Sequence, residues 1–374
     1  MRWTVIRRGA LVAAGVLGGL LLVEGALRIV VTRQDLLAAV RRRTPRRAPD
    51  AELRLVDILE LDPDPRIVFR LRPDVEGQFK GVRYRASALG IRGPQTTTAK
   101  RPGSIRVVGL GDSVMWGWGV EEDARYLDLL GDELIRSGVV GDVVNLAVPG
   151  YNTVQEVETL RVRGMEFSPD VVVLGVTGND AEIPLFLWGA GARPWSFGRP
   201  VLLDLLAGLL HGAPGGGEAG TGGLVPMTAY LQPPDEAGTA WRVPEAFAHL
   251  VGMDNVLGAL DTLAGLARTH GFAVVVVPWA SGPAAHLALV TAVAQACRQR
   301  GFTVVDVAAG LAAERARDGL DEAALWLTPR DFHPNARAHR ILAGMLEPPV
   351  RAALARSIDG GTDAAVHVEP GATS

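Results

Sequence analysis

Residues 105–113 read Ile-Arg-Val-Val-Gly-Leu-Gly-Asp-Ser, an apolar and β-branched run that breaks into a Gly-Asp-Ser turn. A helical pattern follows, so the stretch predicts a strand, a tight turn and a helix. In open α/β sheets the chemistry takes place at the carboxyl ends of the strands. We therefore expect this turn to hold the hydroxyl of Ser113 at the edge where such folds bind their ligands.

The composition is that of a globular protein with a sizeable core. The 374 residues are 48% hydrophobic and 21% charged, and the formal net charge is -3. This balance gives no reason to expect nucleic-acid binding. The single cysteine, Cys297, allows no disulfide within the chain. Its alanine and valine neighbours predict a packed helix face rather than a thiol nucleophile.

The N-terminus predicts a membrane anchor. Residues 1–8 are basic, and residues 9–27 are apolar apart from Glu24. About 19 helical residues nearly match a hydrocarbon layer of ~30 Å. We expect a single-pass anchor or signal anchor over residues 9–31, with the catalytic domain outside the cytoplasm. A cleaved signal peptide, faintly like the twin-arginine type, and a buried helix are the alternatives. Arginines also follow the span, so the positive-inside count does not favour export of the C-terminal part.

From residue 105 onward, strand and helix patterns alternate. The candidate strands are Ile105–Leu110, Asp142–Leu146, Asp170–Val176, Ala273–Pro278 and Phe302–Val307. The candidate helices are Tyr126–Arg136, Thr153–Met165, Ala246–His270 and Ala285–Arg300. Near-continuous valine and leucine runs are typical of parallel strands that are covered on both faces. The pattern predicts an α/β protein with a three-layer α/β/α, doubly wound parallel sheet of flavodoxin-like type.

Three further segments surround or interrupt this domain, which we assign to residues 104–350. Residues 32–103 combine a basic juxtamembrane stretch with short β-like pieces and predict a linker with a small β appendage. Residues 184–244 interrupt the alternation of strands and helices and contain glycines and tryptophans. Such an insertion is typical of a substrate lid or of a partly disordered loop. Residues 351–374 are small and polar and predict a disordered tail.

Two more segments follow candidate strands. Gly150 lies in a loop where a glycine lets the backbone approach a ligand closely. Asn179 lies between Gly178 and Asp180. A side-chain amide aimed at the same point as two backbone N–H groups would form an oxyanion hole. Ordinary loop and turn residues are the alternatives, and Asp112 and Asp180 are expected to hold their turns through backbone N–H groups.

A candidate base lies in residues 331–335, just before a helical pattern. His333 could accept the Ser113 proton, and Asp331 could orient the imidazole and offset its charge. A surface loop that caps the helix is the alternative. Four such segments in one doubly wound domain, each after a strand or before a helix, favour a site for nucleophilic catalysis by serine.

At these residues the chain resembles the SGNH hydrolase superfamily, the GDSL-like esterases and lipases, and especially its membrane-anchored bacterial members. The matching blocks, in order, are Gly111-Asp112-Ser113, Gly150, Gly178-Asn179-Asp180, and Asp331 with His333. The resemblance implies that Ser113 is the nucleophile, His333 the base and Asp331 its partner. It also implies an oxyanion hole formed by the N–H groups of Ser113 and Gly150 and the side chain of Asn179.

One position departs from the family. Its acid often lies three residues before the histidine, where this chain has Arg330, whereas Asp331 lies two before. The other serine hydrolase signature is disfavoured because Ser113 lacks the second glycine of G-x-S-x-G. Scattered histidines disfavour a metal hydrolase, and His339 is expected to serve in helix packing or hydrogen bonding. No metal or organic cofactor is implied.

Three hypotheses for the function follow. The first is a membrane-anchored serine esterase that forms an acyl-enzyme on Ser113 with a lipid, a small ester or an acylated glycan. The second is an O-acyltransferase or O-deacetylase that uses the same site on a cell-envelope polysaccharide. The third is an inactive binding module that has kept the scaffold.

Overall fold

A computed structural model of the chain describes most residues outside the termini and the central insertion. The described residues are 15–16, 18–26, 51–139, 141–188, 202, 224–226, 245–282 and 284–363. The predicted basic N-terminus, the juxtamembrane stretch and most of the 184–244 insertion lie outside them. Residues 18–26 are helical. Within the described part of the chain, no helix combines the length and the apolarity needed to cross a membrane.

Thirteen strands and eight α-helices occupy the described residues from 51 onward. The strands are β1 (Leu59–Leu61), β2 (Phe69–Leu71), β3 (Glu76–Phe79), β4 (Val82–Arg85), β5 (Arg106–Leu110), β6 (Asp142–Asn145), β7 (Val171–Val176), β8 (Phe186–Trp188), β9 (Leu224–Pro226), β10 (Ala273–Pro278), β11 (Thr303–Val304), β12 (Trp326–Thr328) and β13 (Asp331–Pro334). The helices are α1 (Leu55–Ile58), α2 (Ser113–Trp116), α3 (Tyr126–Arg136), α4 (Thr153–Val162), α5 (Met253–His270), α6 (Ala284–Gln299), α7 (Val307–Asp318) and α8 (Ala336–Asp363).

The predicted parallel sheet is present, with five strands in the order β11-β10-β7-β5-β6. Successive side chains of a strand point to opposite faces. Val171 and Val173 therefore pack with α3 and α8 on one face, whereas Val172 and Leu174 pack with α4, α5 and α6 on the other. The valine-rich runs are buried on both sides, as expected for the middle layer of an α/β/α structure.

The predicted β appendage is integrated into the main core. It contains two antiparallel pairs, β1 with β2 and β3 with β4. The side chains of Phe69, Phe79 and Tyr84 belong to the same buried cluster as Trp116 of α2. The Phe79 and Trp116 rings meet edge-to-face with centroids 5.4 Å apart. Hydrophobic burial therefore ties the segment before residue 104 to the parallel-sheet domain.

Arg92 makes the most direct link between these two parts. Its guanidinium donates to the carbonyls of Trp116 at 2.9 Å, Gly117 at 2.6 Å and Val120 at 2.8 Å. It also lies 4.3 Å from the centroid of the Trp116 ring. Trp116 ends α2, and its carbonyl is one of those that a helix end leaves without a helical donor, whereas the Gly117 carbonyl also accepts the Val120 N–H at 3.2 Å. Arg92 thus caps the helix that begins with Ser113.

Several element ends differ from the predictions for local reasons. The predicted helix over residues 246–270 is divided, because Gly252 with φ +94° separates a 3-10 turn (Glu245–Leu250) from α5. The predicted strand ending at Val307 is shorter, because Asp306 caps α7 by accepting from the Ala309 N–H at 3.1 Å. The helix predicted to reach Met165 becomes a 3-10 turn after Val162.

The disordered tail was predicted to begin at residue 351, but the structure is helical beyond that point. Helix α8 continues to Asp363, so residues 351–363 are helical, and residues 364–374 lie outside the described part. Val350, Ala353 and Leu354 are buried in the main core. Their spacing of three and four residues places them on one helix face, so burial extends the helix past its predicted end.

Cys297 and His339 are both buried packing residues, as predicted. Cys297 lies on α6, where burial raises the pKa of its thiol to about 12. His339 Nδ1 accepts a hydrogen bond from the N–H of Tyr126, the first residue of α3, at 3.1 Å. Burial, and then the nearby positive charges, lower the pKa of His339 to about 3. The ring is therefore neutral and serves as an N-terminal cap for α3.

This pKa predicts a specific loss of stability in acid. An unfolded histidine titrates near pH 6.5, so between about pH 6.5 and 3 only the unfolded chain binds this proton, and stability falls as the pH falls. We expect His339→Leu to cost about 1–3 kcal/mol at pH 7, because the Tyr126 N–H loses its acceptor. The variant should then lose less further stability than the wild type between pH 6.5 and 4.5, as measured by urea unfolding.

His270→Leu is the matched control, because His270 is exposed at the end of α5. This variant should keep the wild-type change in stability across the same pH range. An equal acid-induced loss in His339→Leu and the wild type would contradict the assignment of a neutral, buried His339.

Candidate active site

The turns after β5 and β7 are each held by a carboxylate. Asp112 caps α2 by accepting from the Val114 N–H at 2.9 Å, and Ser113 is the first residue of that helix. The N–H of Thr177 donates to Asp180 Oδ2 at 3.0 Å after β7. The prediction that Asp112 and Asp180 hold their turns through backbone N–H groups is confirmed.

Ser113, His333 and Asp331 form a continuous hydrogen-bonded chain. His333 Nε2 lies 2.8 Å from Ser113 Oγ, and His333 Nδ1 lies 2.5 Å from Asp331 Oδ1. The histidine and the aspartate come from β13, which pairs with β12 in a short antiparallel ribbon. Their side chains are 28% and 27% exposed, so both are accessible from solvent. This order of hydroxyl, imidazole and carboxylate is the one that acyl transfer by a serine requires.

The short spacing between Asp331 and His333 is sufficient because the acid folds back on the histidine. Asp331 Oδ1 accepts from the backbone N–H of His333 at 3.3 Å in addition to contacting its ring. Partial burial acts to raise the pKa of Asp331, but the hydrogen bonds and charge of His333 outweigh it, and the pKa lies below its usual value. Arg330 is exposed, and its N–H donates to Thr328 Oγ1 at 3.3 Å.

Trp118 covers one face of the His333 ring. The two rings are stacked, with centroids 5.2 Å apart and an interplanar angle of 19°. Phe79 packs edge-on against the Trp118 ring, and Lys80 Nζ lies 5.0 Å from its centroid. This packing restricts rotation of the imidazole and keeps its Nε2 directed at Ser113.

Two backbone N–H groups in the strand-end loops are available as donors. Within the described residues, no acceptor takes the N–H of Ser113 or that of Gly150. Gly150 has a φ of +82°, and a Cβ at this position would lie 2.4 Å from the Cβ of Leu185. Any other residue would be strained and would clash, so the loop requires glycine here.

The side-chain amide of Asn179 is held at both ends. Its Nδ2 donates to the Tyr151 carbonyl at 3.0 Å, and its Oδ1 lies 2.5 Å from Thr177 Oγ1. An amide nitrogen carries two hydrogens, so one of them remains after the bond to Tyr151. Asn179 thereby joins the turn after β7 to the loop that contains Gly150.

Three carboxyl groups are buried near the turn that contains Ser113. Asp112 is 4% exposed, Glu156 is 1% exposed and Asp180 is fully buried. Burial raises the pKa of all three. Repulsion from the Asp112 charge raises the pKa of Asp180 further, and repulsion from Asp180 and Asp112 does the same for Glu156. These effects favour the protonated forms.

The five predicted site residues lie near one another, but only three of them are in direct contact. Ser113, His333 and Asp331 touch directly, whereas Gly150 and Asn179 belong to two adjoining strand-end segments. Sequence reasoning missed Thr177 and Trp118. Thr177 contacts Asn179, and Trp118 stacks on His333. Both contacts depend on tertiary packing, so no local sequence pattern predicts them.

Several solved structures are similar to this chain at low sequence identity. The structure of TesA matches with 16% identity and a TM-score of 0.41, over 66% of this chain and 98% of its own. A lipase/acylhydrolase from Enterococcus faecalis matches with 14% identity and a TM-score of 0.37, over 66% and 96%. The acetyl xylan esterase AlAXEase matches with 15% identity and a TM-score of 0.39, over 66% and 100%. Comparison with curated proteins finds no match.

A family model covers most of the parallel-sheet domain. The model of the GDSL-like Lipase/Acylhydrolase family matches residues 110–341, which is more than half of the chain. The matched range contains all five residues predicted for the site. The chain therefore belongs to the GDSL-like lipase/acylhydrolase family of the SGNH hydrolase superfamily and is a hydrolase that acts on ester bonds.

Proposed function

We propose that this protein hydrolyses acyl esters through a covalent acyl-enzyme on Ser113. The observation that carries this proposal is the position of the His333 ring between two oxygens, 2.8 Å from Ser113 Oγ and 2.5 Å from Asp331 Oδ1. A serine hydroxyl is a weak nucleophile until an adjacent base accepts its proton. Here the base lies within hydrogen-bonding distance and its other nitrogen meets a carboxylate.

The first half of the reaction forms the acyl-enzyme. Ser113 Oγ attacks the carbonyl carbon of the ester while His333 Nε2 accepts the hydroxyl proton. Asp331 accepts the Nδ1–H of the ring and stabilises the imidazolium that develops. Nε2 then donates this proton to the leaving alcohol oxygen as the carbon–oxygen bond of the ester breaks.

The second half regenerates the enzyme. His333 Nε2 accepts a proton from a water molecule, and the water oxygen attacks the acyl carbonyl carbon. The bond to Ser113 Oγ then breaks as the imidazolium returns its proton to that oxygen. The free acid leaves, and the imidazole is neutral again.

The oxyanion of both tetrahedral intermediates is assigned three donors. They are the N–H groups of Ser113 and Gly150, which have no acceptor among the described residues, and the second Nδ2 hydrogen of Asn179. Donors that are already oriented need no reorganisation as the negative charge develops, and one of them is worth roughly 3 kcal/mol of barrier in other enzymes.

Removal of the nucleophile tests the proposal. Ser113→Ala should lower kcat for p-nitrophenyl acetate by at least about 10⁴-fold, because no covalent intermediate can form. A fluorophosphonate probe should label the wild type and not the variant. The matched control is Ser281→Ala, since the Ser281 hydroxyl donates to the Phe332 carbonyl beside the same ribbon, and it should keep activity within about twofold.

Three outcomes would contradict the proposed ester hydrolysis on Ser113 or favour another function. Activity that survives in Ser113→Ala would exclude this serine as nucleophile. A wild-type protein that neither labels nor turns over esters would favour the inactive binding module. Acyl groups recovered on an added polysaccharide, rather than as free acid, would favour the O-acyltransferase, and acid released only from acylated polysaccharide would favour the O-deacetylase.

The acid is tested by Asp331→Asn. An asparagine keeps the size of the side chain but no longer accepts the Nδ1–H as a charged partner, so kcat should fall by about 10³- to 10⁴-fold with little change in KM. Arg330→Ala is the control, because Arg330 occupies the position where relatives often carry the acid, and it should stay within about twofold. Loss of activity in Arg330→Ala alone would refute the role of Asp331.

We also propose that the N-terminal helical segment anchors the chain in a membrane. The support is an exposed apolar surface: Val16, Leu20, Leu21, Leu22 and Val23 are between 47% and 77% exposed. An apolar patch of this kind on a helix is typical of a surface that meets lipid or a partner.

A pair of charges should release the chain from membranes. Leu21→Arg together with Leu22→Arg adds about 2.5–3.5 kcal/mol of insertion cost per arginine, so the variant should move to the soluble fraction after carbonate extraction of cells. The control is Ile135→Arg, which changes an exposed apolar residue of α3 and should stay with the membranes. A wild-type chain that carbonate extracts would contradict the anchor.

A further inference from the structure

A second chain of hydrogen-bonded side chains runs from the nucleophile turn to Asn179. Thr177 Oγ1 lies 2.9 Å from Asp112 Oδ2 and 2.5 Å from Asn179 Oδ1. Asp112 and Thr177 are 4% and 5% exposed. The mechanism proposed above uses neither Asp112 nor Thr177, although they connect the residue before Ser113 with a proposed oxyanion donor.

The two contacts of Thr177 require more protons than its hydroxyl carries. The Asn179 amide is oriented by the Tyr151 carbonyl, which needs a donor, so Nδ2 faces Tyr151 and Oδ1 faces Thr177. An amide oxygen only accepts, and an ionised carboxylate only accepts. With an ionised Asp112, the single hydroxyl proton of Thr177 would serve one neighbour and leave two oxygens facing each other without a proton.

Protonation of Asp112 resolves this conflict. The acid proton on Oδ2 is then donated to Thr177 Oγ1, and the Thr177 hydroxyl donates to Asn179 Oδ1. Asp112 Oδ1 remains an acceptor for the Val114 N–H at 2.9 Å. Each side-chain oxygen in the series Asp112, Thr177 and Asn179 then has a hydrogen-bond donor or acceptor that matches it, as buried polar groups require.

The surroundings of Asp112 favour its neutral form. Burial, the largest effect, raises the pKa of this carboxyl, and it is opposed by the hydrogen bond from Val114, the charge of His333 and a hydrogen bond from Thr177 where that hydroxyl donates to the ionised form. The other titratable groups that interact with it are Asp180 after β7 and Tyr126 on α3, and also Glu156 on α4. A second negative charge beside these buried acids would be unfavourable.

We propose that a protonated Asp112 and the Thr177 hydroxyl act together as positioning residues that orient the Asn179 amide toward the oxyanion. This inference rests on the proposed role of Asn179 in the oxyanion hole. The bond to Oδ1 fixes rotation of the amide plane, and it also polarises the amide so that the remaining Nδ2 hydrogen is a stronger donor. A donor held in place before reaction contributes more to transition-state stabilisation than one that must rotate into position.

The hydroxyl is tested with a pair of substitutions at residue 177. Thr177→Val keeps the shape of the side chain but removes the donor, and we expect kcat for p-nitrophenyl acetate to fall about tenfold or more, a part of the 10²–10³-fold effect of losing an oxyanion donor. KM should stay within about twofold. Thr177→Ser restores the donor and should recover most of kcat. Equal activity in the valine variant and the wild type would overturn the proposal.

The proposed protonation of the Asp112 carboxyl is tested by a substitution at residue 112. Asp112→Asn can donate through Nδ2 to Thr177, and it still accepts the Val114 N–H, since asparagine caps helices as well as aspartate. We expect its kcat at pH 7 to stay within about threefold of the wild type. The wild-type kcat should fall as the pH rises through the raised pKa of Asp112, and this decline should be absent in Asp112→Asn. A variant that loses kcat at pH 7 would show that the charged carboxylate is needed.

An infrared measurement separates this proposal from the proposed esterase function. The difference spectrum of wild type minus Asp112→Asn at pH 7 should contain the C=O stretch of a protonated carboxylic acid. This band does not depend on turnover, so it supports the protonated Asp112 even if Ser113 proves not to be the nucleophile. Carboxylate bands in its place would overturn the inference, whatever the activity of the Ser113 variants.

Discussion

The parallel pairing of β5 with β7 determines where the polar residues of this chain meet. Gly109 pairs with Val173 and Leu110 with Leu174, so the two strands end side by side. The turn that begins with Asp112 then lies beside the turn that begins with Thr177, and the hydrogen bond between these residues spans 65 positions of the sequence. A register shift of one residue would exchange the side chains that β7 presents to the two helix layers, and it would move the two turns apart. Core packing therefore fixes the register, and the register fixes the site.

The site combines a partly exposed hydrogen-bonded series, Ser113, His333 and Asp331, with three buried carboxyl groups. Asp331 is partly exposed and its pKa is low, which suits a carboxylate that accompanies a histidine. Asp112, Glu156 and Asp180 are enclosed, and burial raises the pKa of each. Negative charges at these three positions would oppose an oxyanion formed nearby. The upward shift of these pKa values reduces that repulsion, while Asp112 and Asp180 still accept the backbone N–H groups of their turns.

The sequence predicted the elements whose signals are local. Helix α3 has the predicted bounds because its apolar face repeats every three to four residues, and β10 does because a valine run defines it. The contact of Asp331 with His333 was anticipated, but the backbone bond that makes the short spacing workable was not. Thr177 and Trp118 act through partners far away in the chain, which no local pattern encodes. The end of α8 was missed because tertiary burial of Val350 and Leu354 extends the helix.

The cap that Arg92 forms on α2 changes where the folding unit begins. The family model starts at residue 110, yet the carbonyls of Trp116, Gly117 and Val120 accept hydrogen bonds from a guanidinium outside that range. A chain shortened to the matched region would lose these three hydrogen bonds and the cover that Arg92 gives one face of Trp116, although the Gly117 carbonyl would keep the Val120 N–H as a donor. The segment before residue 104 is thus part of the packing that holds the turn after β5, and the residues that stabilise this turn extend upstream of the family match.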